Sequence, residues 1–115
     1  MQYMLLIYTN ESGWSQMTPE QQQQGMAGYM AFTEALKKSG ALAGSNRLQS
    51  VSTATTVRVA NGKSQVLNGP YTDSKEQFGG YYLIDVPDLD AALSWAARCP
   101  AASHGVVEVR PVWAM

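Results

Sequence analysis

Two stretches of this chain, QYMLLIY at 2–8 and YYLIDV at 81–86, are apolar or aromatic at almost every position. Both read as strands, and successive side chains of a strand point to opposite faces of its sheet. Met4, Leu6 and Tyr8 therefore share one face of the first strand, and Tyr3, Leu5 and Ile7 share the other. The second strand divides into Tyr81, Leu83 and Asp85 against Tyr82, Ile84 and Val86, and Pro87 closes it. A sheet built on these strands has two faces to shield from water, so it needs a layer on each side.

Helices supply one of those layers. After a loop containing Asn10, Ser12 and Gly13, the segment TPEQ at 18–21 announces a helix: Thr18 caps it, Pro19 suits its first turn and Gln21 completes a capping box. Met26, Tyr29, Met30, Thr33 and Leu36 recur at the three-and-four spacing of a buried stripe. Gly40 ends the helix, just after Lys37 and Lys38, whose charges suit its negative end. Asp88 caps a second helix, with Leu89, Ala92, Leu93, Ala96 and Ala97 facing inward, and Pro100 stops it.

The remaining elements are strands. ALAGSNRLQ at 41–49 holds a short one, and TTVRVA, Asn61-Gly62 and KSQVL form a hairpin around a two-residue turn. Its register places Val57 opposite Val66 and Arg58 opposite Gln65. VVEVRPV at 106–112 is the last strand. This order predicts one α+β domain over 1–115, a ferredoxin-like sandwich with an antiparallel sheet and two helices on one face. A second copy of the chain is the economical cover for the other face, giving a homodimer with a cavity between or beside the sheets.

Composition removes several function classes. Eight basic and nine acidic side chains leave a net charge of −1, and the basic residues are scattered, which argues against nucleic acid as a partner. One cysteine, Cys99, excludes an intrachain disulfide, and one histidine, His104, leaves no donor set suited to zinc. Neither a metal nor a cofactor is expected. The apolar run near the N-terminus is too short to span a membrane and has no basic flank, so no membrane partner is expected and the expected location is cytoplasmic.

Candidate functional residues concentrate in NGPYTDSKEQFGGYYLIDV at 68–86. Asn68-Gly69-Pro70 suits a turn in which the Asn68 amide bonds its own backbone; the alternative is an amide pointing into a cavity to orient a ligand carbonyl. Asp73 with Glu76 three residues later forms a capping box for one helical turn. Alternatively, Asp73 borders a ligand, Glu76 acts as a general base and Lys75 anchors an anionic group. Gly79-Gly80 permits a bulge or a close backbone approach. Tyr8, Tyr71, Tyr81, Tyr82 and Trp14 suit a core or an interface, and as a group they also suit a planar organic ligand. Cys99 reads as a small packed hydrophobe and His104 as a solvated loop residue.

YMLLIY, YMAFTEALKKSG, TATTVRV, LNGPYTDSKEQFGGYYLIDVPDLDAALSWAARCP and VEVRPV together resemble the YCII-related proteins, specifically their DGPF branch, over nearly the whole chain. The resemblance implies a dimeric α+β barrel. It also implies a pocket for a small cyclic organic substrate with lyase or isomerase chemistry, since some relatives eliminate chloride or isomerise such compounds. In the wider family a histidine and an aspartate are proposed as the acid/base pair. Here Asn68 stands in place of the aspartate of the DGPF motif and the first long helix contains no histidine, so that pair is not carried over. The expectation is a small-molecule-binding protein with Glu76 and Lys75 as candidate catalytic groups and Asn68, Tyr71, Asp73, Tyr81 and Tyr8 around the ligand. The alternative is a non-enzymatic accessory or regulatory protein linked to an alternative sigma factor.

Overall fold

The computed structural model describes residues 1–114. The elements are β1 (Gln2–Thr9), α1 (Glu11–Ser15), α2 (Pro19–Ser39), β2 (Leu42–Arg47), β3 (Thr55–Ala60), β4 (Lys63–Asn68), β5 (Gln77–Asp85), α3 (Leu89–Arg98) and β6 (Val106–Pro111). The main sheet is antiparallel in the order β2-β5-β1-β6, which is the ferredoxin-like arrangement, and β3-β4 forms a separate two-stranded hairpin between β2 and β5. The fold is thus a ferredoxin-like α+β sandwich, as the element order predicts.

Local chemistry explains most boundaries. At the start of α2 the Gln21 N–H donates to the Thr18 hydroxyl (3.1 Å) while the Thr18 N–H donates to the Gln21 side-chain oxygen (3.0 Å), so two orphan helix donors are satisfied reciprocally. The Asp88 carboxylate accepts from the Ala91 N–H at 2.9 Å and starts α3. Asn61 and Gly62 both have positive φ (52° and 74°), as a tight hairpin turn requires, and Val57 pairs with Val66 and Arg58 with Gln65 as expected.

Tyr3, Leu5 and Ile7 of β1 and Tyr82 and Ile84 of β5 are buried in one cluster with Phe32 and Leu36 of α2 and Ala92 and Ala96 of α3, so the long helices cover one face of the sheet. Phe32 meets the Tyr82 ring edge-on at 5.1 Å and the Trp95 ring at 6.1 Å. Cys99 is 2% exposed within this cluster, a packed hydrophobe as expected. The opposite face carries Met4, Leu6, Tyr8, Phe78, Tyr81 and Leu83, all half-buried.

Four local expectations need correction. Residues 11–15 form a short helix rather than a loop, because the Asn10 side chain accepts from the Ser12 N–H at 3.0 Å and caps it. In α2 the buried stripe runs through Phe32 and Leu36 with Tyr29 beside them, while Met26 and Met30 are 50% and 67% exposed. Three-and-four spacing fits 26-30-33 as well as 29-32-36, so periodicity alone does not choose between adjacent stripes. In α3 the inward residues are Ala92, Ala96 and the half-buried Trp95; Leu89, Leu93 and Ala97 are exposed, because small side chains let this helix lie close to the sheet. No helical turn forms at 73–76, where the Glu76 N–H donates to the Ser74 hydroxyl instead.

Two bulges decide which side chains reach the helix side. Ile7 pairs with Gly80 but Tyr8 with Phe78, so Gly79 is the extra residue that the double glycine suggests. On β2, Leu42 pairs with Ile84 but Gly44 with Leu83, which leaves Ala43 unpaired. Past that bulge, Ser45 lies opposite Tyr82 and Arg47 opposite Gly80, so both share the helix-covered face. Gly80 permits the contact: a Cβ there would stand 2.9 Å from the Asn46 carbonyl oxygen and 3.4 Å from the Arg47 Cα. Gly80→Ala is expected to destabilise the fold by about 1–3 kcal/mol in denaturant unfolding. Gly13→Ala, where the added methyl meets nothing within 4 Å, is expected to change stability by no more than about 1 kcal/mol.

Candidate functional site

Where the N-terminal part of α2 runs beyond the buried stripe, it leaves an open cleft of about 1150 Å³ between α1, α2 and the β2 side of the sheet. Its apolar wall comes from Ile7, Trp14, Met26 and Met30, and its polar groups include Tyr29, Thr33, Ser45 and Arg47. An apolar surface with a few convergent polar groups is the usual composition of a small-molecule site.

Trp14 is held from several directions. Its carbonyl accepts from the Gln22 side-chain amide at 2.9 Å, which ties α1 to the first turns of α2. A Cβ on Gly25 would stand 2.9 Å from the indole, so a bare backbone at 25 is what lets the ring lie against α2. The Arg47 guanidinium sits 5.2 Å from the centroid of the Trp14 ring, within cation–π range.

The phenols behind this pair are protonated at neutral pH. Burial, reinforced by the proximity of the Cys99 and Tyr82 groups, pushes the Tyr29 hydroxyl up to about 12, although the Arg47 charge pulls the other way. Burial also raises Tyr82. The Thr33 hydroxyl donates to the Tyr29 carbonyl at 2.8 Å, so its single proton is committed and Tyr82 is the donor in the 2.9 Å contact between the two hydroxyls. The Tyr29 hydroxyl has no protein hydrogen-bond partner among the described residues. It is a neutral donor left free beside the cleft.

The residues singled out from sequence divide among three places. Tyr81 borders the main cleft and accepts a hydrogen bond from the Asn46 amide at 2.8 Å. Tyr8 and Glu76 come together at a second depression of about 570 Å³, with Phe78 and Val51, and the Tyr8 and Phe78 rings lie 5.5 Å apart. Asn68, Tyr71, Asp73 and Lys75 are exposed and border neither space; Asn68 pairs with Thr55 at the end of the hairpin, and the Arg58 guanidinium lies 5.8 Å from the Tyr71 ring centroid. Sequence reasoning missed Arg47, Tyr29 and the two methionines as cleft residues. His104, expected to be solvated, is exposed and also borders the main cleft. Arg47 carried no motif, and its only sequence signal was a basic residue in an ambiguous strand.

Among the described residues no His, Cys, Asp and Glu cluster has the arrangement of a metal site, and no helix is long and apolar enough to cross a membrane. The model of the YCII-related domain matches residues 1–115. The chain belongs to the YCII-related family. An uncharacterized protein of Rhizobium meliloti (strain 1021) is 36% identical over 114 residues, covering 97% of this chain and 92% of the relative. Among solved structures, this YCII-related chain is similar to 5-chloro-2-hydroxyhydroquinone dehydrochlorinase of Burkholderia phenoliruptrix AC1100 in complex with 2,5-dihydroxybenzoquinone. The TM-score is 0.56 at 14% identity, over 98% of this chain and 94% of that one, which is a likeness of fold.

The raised phenols carry a stability consequence. Tyr29 loses its proton more readily in the unfolded chain than in the fold, so the unfolded state binds fewer protons between about pH 10 and pH 12 and stability falls as pH rises through that window. Denaturant unfolding at pH 9 and pH 11.5 is expected to show a loss from this group of about 1 kcal/mol, below the full value of the shift because the hydroxyl is partly solvated. Tyr29→Phe is expected to show a smaller loss over the same interval.

Proposed function

We propose that this protein is a homodimer that binds a small cyclic organic molecule in the cleft beside β2 and acts on it as a lyase or isomerase. The observation that carries the binding reading is the pair of unpartnered polar groups, Arg47 and the Tyr29 hydroxyl, set beside exposed Met26 and Met30 in a cleft whose surface is mostly apolar. A structural neighbour that removes HCl from a chlorinated hydroxyhydroquinone supports the reaction class. Elimination needs a group to take a proton as the leaving group departs, and isomerisation needs one to take a proton and return it.

Two placements of that group are open to test. His104, at the border of the main cleft, is the one imidazole of the chain. Glu76 shares the second depression with Tyr8, and that proximity favours a second reading in which Glu76 is the base there; Lys75, Asn68, Tyr71 and Asp73 border neither space and Tyr81 belongs to the main cleft, so they take no part in it. Neither the geometry nor the relatives favour the regulatory alternative linked to a sigma factor.

The dimer rests on shape and on exposed apolar surface. The chain extends 48 × 44 × 18 Å with a radius of gyration of 16.1 Å, against about 13 Å for a compact chain of this length. The face bearing Met4, Leu6 and Leu83 has no helix over it, and Val57, Val59, Val66 and Leu67 of the hairpin are 60–66% exposed. Native mass spectrometry is expected to give twice the 12.5 kDa chain mass with a retained small molecule, and Leu83→Glu is expected to give a folded monomer. A wild-type monomer would overturn the dimer. In a chloride-release assay on a chlorinated hydroxyhydroquinone, His104→Ala and Glu76→Gln separate the two placements: the base's variant loses roughly 100-fold or more. Unchanged turnover in both would remove both residues from the chemistry.

A further inference from the structure

We propose that the ligand of this cleft is an anion, a flat ring carrying one ionised oxygen group, which Arg47 holds while Tyr29 donates a hydrogen bond to a second oxygen. The inference rests on the cleft being the ligand site and adds the charge of what enters it.

Glu11, Glu34, Lys37 and Arg47 line the cleft, and which of them is left without a partner decides the sign. Glu34 lies 3.7 Å from Lys37, so these two offset one another. The Glu11 carboxylate accepts from the Ser50 hydroxyl at 2.8 Å and from the Val51 N–H at 2.9 Å, which commits both its oxygens to holding the 3-10 turn at 51–53. Arg47 remains, and among the described residues no carboxylate lies within ion-pair distance of it. Its contact with the Trp14 face orients the guanidinium without neutralising it or using its N–H donors. A planar fork of free donors, oriented by an aromatic ring beside an apolar wall, matches a carboxylate or phenolate.

The rest of the cleft specifies the body of the ligand. Met26 and Met30 offer polarizable thioethers, which pack well against aromatic rings and adapt to their outline. The unpartnered Tyr29 hydroxyl stays protonated across the physiological range, so it serves as a donor to an oxygen and does not repel an anion. A cationic ligand would meet Arg47 and would find the Glu11 oxygens already bonded to the 51–53 turn and Glu34 paired with Lys37.

The test titrates sodium benzoate, benzamide and benzyltrimethylammonium into the wild-type protein, reading the Trp14 indole N–H by NMR, assigned with Trp14→Phe. Benzoate is expected to shift Trp14 and to bind at least tenfold more tightly than benzamide, and the cation is expected not to bind. Arg47→Gln is expected to lose that tenfold preference while its other resonances keep the wild-type pattern. Arg47→Lys, which keeps the charge but not the fork, should fall between them. Lys63→Gln, at the hairpin turn, should bind benzoate as the wild type does. Equal binding of benzoate and benzamide would overturn the anion assignment, and a benzoate preference retained in Arg47→Gln would overturn Arg47 as the group that holds the anion; either leaves the cleft as a ligand site. No shift at Trp14 with any of the three compounds would overturn both readings.

Discussion

The architecture hangs on β1. This strand lies between β5 and β6, and its Tyr3, Leu5 and Ile7 form the middle of the surface that both long helices cover. Leu5, with Leu36 and Ile84, is among the largest fully buried side chains, so α2 is pinned to the sheet through its C-terminal half. Apolar burial of this kind contributes roughly 25 cal/mol per Å². The N-terminal half of α2 runs past the pinned region with its methionines uncovered. The cleft follows from where the helix is fastened.

Small backbone devices then convert that gap into a defined site. The bulge at Ala43 changes the parity of β2, and the bare backbone at Gly80 lets the end of β2 close on β5. Together they bring Arg47 to the helix side, where Trp14 of α1 meets it. Trp14 in turn needs the open backbone of Gly25. Four elements distant in sequence thus converge on one guanidinium, and among the described residues no carboxylate pairs with it.

The second sheet face has a different role. Its residues are apolar on β1 and β5 but include Glu108 and Arg110 on the edge strand β6, and the exposed valines of the hairpin stand away from the main sheet. Such a surface is too apolar to be left in water and too large for a small ligand to cover, which is why a second copy is its proposed cover and the cleft beside β2 the proposed ligand site.

Much of the fold was legible in the sequence. Strand alternation, the Thr18 and Asp88 caps, the Asn61-Gly62 turn and the double-glycine bulge are local preferences, set by backbone sterics and by hydrogen bonds between residues a few positions apart, and the structure follows each of them. The stripe of each helix that turns inward, and the side chains that line a cleft, were settled by tertiary packing. Met26 and Met30 fit a buried periodicity as well as Phe32 does, and only docking on β1 decides between them. Counting alternately from Leu42 places Arg47 on the wrong side of the sheet, because one unpaired residue at Ala43 reverses every later side chain. The motif at 68–76 showed the opposite limit, since its charges are conspicuous in sequence but lie on an exposed connection, with Glu76 alone joining Tyr8 at the second depression. Sequence determines local geometry through nearest neighbours, whereas a site is an intersection of distant segments, and a one-residue change of register is enough to move a charge from one face to the other.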